Sequence, residues 1–496
     1  MTAEKKTTNN SSNVKWYCEK LKDQIPKQLY KIMLVVFMGI FALTIFVSNY
    51  NTASVLVYAM LSTFVVAKFT KKYKGCFDTT TDKKLLLVLS LVCFIIKFLW
   101  VYFMRMEPKV DYLTFYNTAV ALSESWHYSD RYIALFPHIF GYSTFLSLFI
   151  KVFGESVFLA TVLNVILSVI SGILIYKIIK NFISTTAGVC AYTLWIICPS
   201  QTIFNSLVFS EPLYTTLILA FVYFVTVIAK KEEKFNWFKM LTFGVLAAVI
   251  LQCINVNRPI AMVMIIAMFI WIFVLRFKEL FQKEFLVKWI SFFTALLVVY
   301  FSLGSLWNLC FTSRMGEAPA SVPGYNIHVG FNAKSSGAWN KEDSDLLFSY
   351  SNQEGVTADW AQKQMLNEAK KRITSGEIDF SKLFKEKLSF FLGKDSVCVG
   401  YCSDIIQEKE DMSMVCDTFY YCMILLSLYG AYKMLKLSHK SPTFILPLFV
   451  IGITCAQMLV EVAPRYHYSI VPFLIMMSQF YLFETKSNSK RTQEDK

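Results

Sequence analysis

Residues 136–153, FPHIFGYSTFLSLFIKVF, decide how the whole chain is threaded through a membrane. The stretch is apolar and nearly as long as the ~20 residues a helix needs to cross a hydrocarbon core about 30 Å thick. Counted as a full crossing, it puts the tail of the next apolar run, YKIIKNF, on the outside and inverts everything up to Arg276. Counted as a helix lying in or dipping into the outer interface, it leaves every lysine cluster on one side. The second reading is adopted, with the first-loop segment as an amphipathic interfacial helix.

Working outward, spans are expected near 31–48, 54–69, 85–104, 158–178, 185–204, 209–229, 238–254, 259–276, 287–308, 417–434, 442–460 and 467–484, about a dozen in all. From a cytoplasmic N-terminus this count sends the basic stretches 1–27, 68–84, 230–239, 276–288, 433–440 and 486–496 to the inside. The expectation is an all-α, multi-pass protein of the plasma membrane with both termini cytoplasmic. Its parts are a cytoplasmic tail at 1–29, a multi-span membrane domain at 30–309, an extracytoplasmic loop domain of roughly a hundred residues at 310–416, closing spans at 417–484 and a cytoplasmic tail at 485–496.

Composition agrees. The 496 residues are 55% hydrophobic and 17% charged, whereas soluble domains carry roughly 25% charge. A β-barrel would show short alternating segments instead of long apolar runs. The net charge of +14 sits in loops flanking those runs, so it points to the lipid bilayer and not to nucleic acid as partner. Of twelve cysteines, Cys93, Cys190, Cys198, Cys253, Cys422 and Cys455 lie in or beside apolar runs, where thiols pack as small hydrophobes. Cys398 and Cys402 fall outside, and a disulfide between them stays open. The polar N-terminus has no small-residue cleavage site after the first apolar run, so it reads as uncleaved.

A few polar residues need a reason. Asp111, in KVDYLTFY after the third span, is either a solvated loop residue or a carboxylate at the outer membrane face able to act as a base or hold a metal. Glu211, in FSEPLYTTLILAF, either caps a helix whose first turn carries Pro212 or faces the same outer cavity. Arg258, in NVNRPIAM, either snorkels to the interface or binds a phosphate. In VEVAPRYHYSIVPFL, Arg465 either pairs with Glu461 or points its fork at a phosphate, and Tyr466 is either belt or contact. His138 opens the interfacial segment and is placed to donate to a phosphate or hydroxyl. The histidines are scattered, so no metal site is assigned; GxSxG and GxxxxGK[ST] are absent, which removes serine hydrolases and ATP-driven pumps.

The order of these pieces resembles the GT-C superfamily of membrane glycosyltransferases, especially the bacterial relatives of protein O-mannosyltransferases and lipid A aminoarabinose transferases (glycosyltransferase family 39-like). The resemblance runs from about residue 85 to 483: VDYLTFY, the proline-led FPHIFGYSTFLSLFIKVFG, YKIIKNF, CPS…SEPLY, NRP, GFN…GAWNKED and RYHYSIVPFL. Many relatives have two adjacent acids at the first-loop site where this chain has Val110-Asp111-Tyr112, and PP where it has Phe136-Pro137-His138.

The resemblance implies transfer of a hexosyl or pentosyl group from a polyprenyl-phosphate donor to an unidentified cell-envelope acceptor. It implies Asp111 and Glu211 as catalytic carboxylates, the first as the base and the second as an auxiliary acid, Arg258, Arg465 and His138 at the donor phosphate, and Tyr112, Tyr466 and Glu461 as substrate contacts. No cofactor is implied with certainty; a divalent metal at Asp111 has no second acid to support it. The competing readings are a transporter or lipid flippase, a lipid-linked polysaccharide polymerase or ligase, and a membrane scaffold.

Overall fold

The computed structural model describes residues 4–48, 52–231, 235–437 and 440–483. The expected C-terminal tail at 485–496 lies outside them, as do the side chains of most of the N-terminal basic stretch. Among the described residues the chain is all helical, and nine helices are long and apolar enough to cross a membrane: Gln24–Val47, Ala53–Lys72, Asp82–Phe103, Val157–Phe182, Glu211–Lys231, Trp237–Asn257, Lys283–Met315, Lys409–Lys436 and Pro442–Leu459.

The other three expected spans are helical but not full straight crossings. The one placed at 185–204 is broken into Thr185–Ile196 and Pro199–Ser206, bent by 58°. Pro199 supplies no N–H to the helix and disfavours helical backbone at the residue before it, and Cys198 is accordingly extended. Ala261–Leu275 and Val471–Leu482 are apolar but have only 15 and 12 residues. His138–Phe153, with 16 residues, is about 24 Å long at 1.5 Å per residue. It buries Phe140, Tyr142, Leu146 and Ile150 and exposes Leu148, Val152 and Phe153, as a helix half embedded in apolar surroundings should.

Contacts between helix ends establish the sidedness of the bundle. At one end Tyr176 and Lys180 bond Asp82, Thr186 bonds Asp78, Lys230 bonds Asn181, Trp271 donates to the Pro442 carbonyl and Lys22 lies over Phe281. At the other end Trp100 donates to Ser206, Ser206 to the Met104 carbonyl, Arg258 to Glu211 and Arg465 to Asp111. The lysine-rich loops thus share one face and the singled-out polar residues share the opposite one.

On that opposite face, the loop expected at 310–416 is shorter at both ends, because the flanking helices continue as Lys283–Met315 and Lys409–Lys436. At 33 residues the first is about 50 Å long, well beyond a bilayer core, and its tip is held by packing: Phe311 and Met315 are buried with Tyr325, Leu347, Ala361 and Met365. The intervening residues form five helices, Gly324–Gly330, Lys341–Ser351, Ala358–Thr374, Phe380–Leu392 and Val397–Tyr401. The Ala358–Thr374 helix buries a stripe of Ala358, Ala361, Gln362, Met365 and Ala369, and Trp360 faces outward. An i, i+3, i+4, i+7, i+11 series of mostly small residues lets the helix sit close to Gly324, whose missing Cβ would meet the Gln362 carbonyl oxygen at 1.8 Å. Cys398 and Cys402 are both free and buried, and Cys398 Sγ lies 3.9 Å from the Cys416 sulfur instead.

Candidate active site

Asp111 is the first residue of the Asp111–Glu124 helix, delivered by a tight turn in which the Tyr112 N–H bonds the Lys109 carbonyl at 3.1 Å. Val110 takes the second position of that turn with φ 50° and ψ −122°, the geometry of a type II′ turn that ordinarily selects glycine. Glu211 likewise opens its helix, with Pro212 behind it, so its carboxylate sits at the positive end of the helix dipole. Arg258 is the residue at which Trp237–Asn257 ends, and Arg465 lies in the short 3₁₀ segment Pro464–Ser469 before the last helix.

Four separate segments therefore bring their charges to one place. Arg465 Nη2 donates to Asp111 Oδ2 at 2.6 Å, Arg465 Nε lies 3.8 Å from Glu211 Oε1, and Arg258 Nη2 donates to the same Glu211 oxygen at 2.8 Å. The chain of pairs is graded in exposure: Glu211 is 1% exposed, the two arginines about 15%, and Asp111 41%. Tyr466 roofs both guanidiniums, its ring centroid 4.4 Å from Arg258 and 5.6 Å from Arg465, and the Tyr112 ring lies 5.6 Å from Arg465. The Nε groups of both arginines and the Tyr112 hydroxyl are buried without a hydrogen-bond partner among the described residues.

His138 enters through a close helix contact. An added Cβ at Gly141 would meet the Val256 carbonyl oxygen at 2.0 Å, so only glycine lets the His138–Phe153 helix lie this close to the backbone that leads into Arg258. Burial, then the neighbouring Arg258 and Arg465, pushes the His138 imidazole down to about 3, leaving it neutral at ordinary pH. Glu461 shows the opposite shift: burial pushes its carboxyl up to about 7, against the pull of Arg465 and with a further push from Asp111. All eight residues singled out in the sequence thus lie in one neighbourhood.

Two groups, Tyr132 and Lys387, carried no sequence signal, and a third, His467, stood in the quoted RYHYSIVPFL stretch without an assigned role. Tyr132 stands close enough to Asp111, Glu461 and Tyr466 for their charges to raise its hydroxyl after burial has done so; it is one tyrosine among 26. Lys387, wholly buried, donates to the carbonyls of Gly330, Met458 and Val460 at 2.7–2.9 Å and so fixes the irregular segment that carries Glu461. His467 places both ring nitrogens against acceptors, Phe391 O at 2.8 Å and Asp395 Oδ1 at 2.9 Å, with Ser200 also bonded to Asp395. That buried pair anchors the segment bearing Arg465 and Tyr466. No group of three or more potential metal-binding side chains occurs among the described residues.

Residues 138–307 match the family described as dolichyl-phosphate-mannose-protein mannosyltransferase. Over that stretch the chain is similar to a mannosyltransferase family of the kind its sequence elements resemble. The matched stretch contains His138, Gly141, Glu211 and Arg258, and stops before Arg465. No curated protein matches the chain. Among solved structures, ArnT from Cupriavidus metallidurans bound to undecaprenyl phosphate is similar at 9% identity and a TM-score of 0.33, over 81% of this chain and 78% of that one; a likeness that loose carries no argument.

Proposed function

We propose that the protein is a glycosyltransferase that moves a sugar from a polyprenyl-phosphate carrier to an acceptor on the outer face of the membrane. The observation that carries the reading is the continuous chain Asp111–Arg465–Glu211–Arg258 at the end of the bundle opposite the lysine-rich loops. By the positive-inside rule that end is extracytoplasmic. Nucleotide sugars are cytoplasmic, so an enzyme working there takes its donor from a lipid.

In the reaction an acceptor oxygen attacks the anomeric carbon, the carbon–oxygen bond to phosphate breaks, and polyprenyl phosphate leaves with the bonding pair. The free Nε donors of Arg258 and Arg465 are placed to take that developing charge, and neutral His138 to add a hydrogen bond. Asp111, the most open member, takes the acceptor proton. Glu211 holds both arginines in register, and Tyr112, Tyr466 and Glu461 line the space for the sugar.

The direct test supplies purified protein with polyprenyl-phosphate sugars and envelope acceptors and measures release of polyprenyl phosphate. Release that needs an acceptor and disappears in Asp111→Asn supports the reading. Full turnover in Asp111→Asn removes Asp111 as the base; movement of the intact lipid-linked sugar between leaflets without cleavage would make the protein a flippase.

A further inference from the structure

At the opposite face, away from the candidate active site, five segments enclose a cavity of about 620 Å³. The start of the first span contributes Lys27, Tyr30 and Lys31; the end of Ala261–Leu275 contributes Trp271 and Arg276; the turn into Pro442–Leu459 contributes Lys440. Four cations thus converge, and among the described residues no carboxylate lines the cavity. Arg276 and Lys440 are held in place, by Glu279 at 3.2 Å and by the Val274 carbonyl. Lys27 and Lys31 make no ion pair among the described residues.

The walls are built, not incidental. Tyr30 is buried, accepts from the Ser441 N–H at 3.4 Å and packs on Phe444 with ring centroids 4.7 Å apart. Trp271 is buried and donates to the Pro442 carbonyl at 2.6 Å. Around the same two helices runs an apolar groove of about 560 Å³, lined by Leu29, Phe269, Phe273, Trp289 and Phe293 among others. A polar cavity lined by four cations, one of them paired with Glu279, at the membrane surface beside an apolar groove of acyl-chain character matches one kind of molecule: its phosphate suits the first and its hydrocarbon the second.

We propose that this cavity seats the headgroup of an anionic phospholipid from the leaflet opposite the candidate active site, with an acyl chain in the adjoining groove. The site is separate from the donor site and independent of the glycosyltransferase reading. Its ligand stabilises the junction between the first span and the Ala261–Leu275 and Pro442–Leu459 helices.

The experiment uses the full-length protein, delipidated in neutral detergent. Phosphatidylglycerol, phosphatidylcholine with the same acyl chains and inorganic phosphate are each titrated while bound lipid is read by native mass spectrometry and melting temperature by a thermal-shift assay. Phosphatidylglycerol should bind and raise the melting temperature, phosphatidylcholine should not, and phosphate should not compete at equal concentration. Lys27→Gln/Lys31→Gln should weaken phosphatidylglycerol binding about tenfold or more. Lys71→Gln/Lys72→Gln, on the same face but outside the cavity, should leave it unchanged. Equal loss in both double variants, or none in the first, overturns the proposal, because binding would then follow surface charge alone. Equal competition by phosphate overturns it in favour of a free-anion site.

Discussion

Two clusters on the same side of the molecule pair arginine with a buried carboxylate, and they differ in what is left over. In the helical segment between Met315 and Lys409, Asp343 is saturated: Asn332 and Asn340 donate to Oδ2 at 2.8 and 2.7 Å, Arg372 reaches both oxygens, and His328 Nε2 lies 3.2 Å away. Burial alone would raise its carboxyl, but these bonds hold it far below the usual carboxylate range. Around Glu211 and Asp111 two arginines share two carboxylates, and both Nε groups remain unbonded. A buried donor without a partner costs about 1–3 kcal/mol. In the first cluster the carboxylate and its arginine are fully engaged and, among the described residues, only the His328 ring nitrogens lack a hydrogen-bond partner; in the second both arginines keep a donor to spare.

The same substitution in each cluster separates them. Arg465→Lys keeps the charge but loses the fork that spans Asp111 and Glu211 and the spare donor beside them. Turnover should fall about 100- to 1,000-fold, with little change in melting temperature. A loss of turnover that merely tracks loss of folded protein would make the cluster structural and sink the comparison. Arg372→Lys should do the reverse, costing about 1–3 kcal/mol of stability through broken bonds to Asp343 while leaving turnover per folded molecule intact. Proteolysis of the segment between Met315 and Lys409 together with single-turnover rates would reveal either pattern.

Much of this was legible in the sequence because membranes impose simple rules. Apolar runs mark helices, lysines mark the side, and a charge that survives near a span must find a partner, which is how Asp111, Glu211, Arg258 and Arg465 were singled out from four distant places. What could not be read was pairing. Arg465 lies four residues from Glu461, yet its guanidinium bonds Asp111, 354 positions away. The break at Cys198-Pro199 was written in the proline but looked like continuous apolarity. Lys387 and Asp395 sit between the Lys283–Met315 and Lys409–Lys436 helices among many exposed charges of the same type, and only the fold buries them.

Smaller effects probe how the second cluster is assembled. Gly141→Ala sets a methyl 2.0 Å from the Val256 carbonyl oxygen, so the His138–Phe153 helix must move away from Arg258. Displacing His138 by about 1 Å should lower turnover up to about 100-fold, and a wild-type rate would show that His138 plays no part. Glu461 tests the electrostatics. With its folded pKa raised from 4.5 to about 7, its stabilising contribution is complete below about pH 4.5 and is lost as pH rises through about 7. Glu461→Gln abolishes that titration. The variant should match the wild type near pH 4 and melt at a higher temperature than it above about pH 7; parallel melting curves at every pH would contradict the shift.

The smallest expected effect concerns the turn that delivers Asp111. Val110 is a β-branched residue at φ 50°, a conformation that glycine adopts freely and valine does not. Its side chain is exposed, so no packing holds it there; what holds the turn is the Tyr112–Lys109 backbone bond and the Arg465 grip on Asp111. The strain is worth about 1–3 kcal/mol. Val110→Gly removes it but also frees the unfolded chain, so the net gain in stability should be about 1 kcal/mol or less. If the strained turn serves to aim Asp111 at Arg465, the relaxed variant gains melting temperature and loses turnover by a few-fold. A variant that gains stability at unchanged turnover would show that the ion pair alone positions the carboxylate, and that the second cluster needs nothing from the turn beneath it.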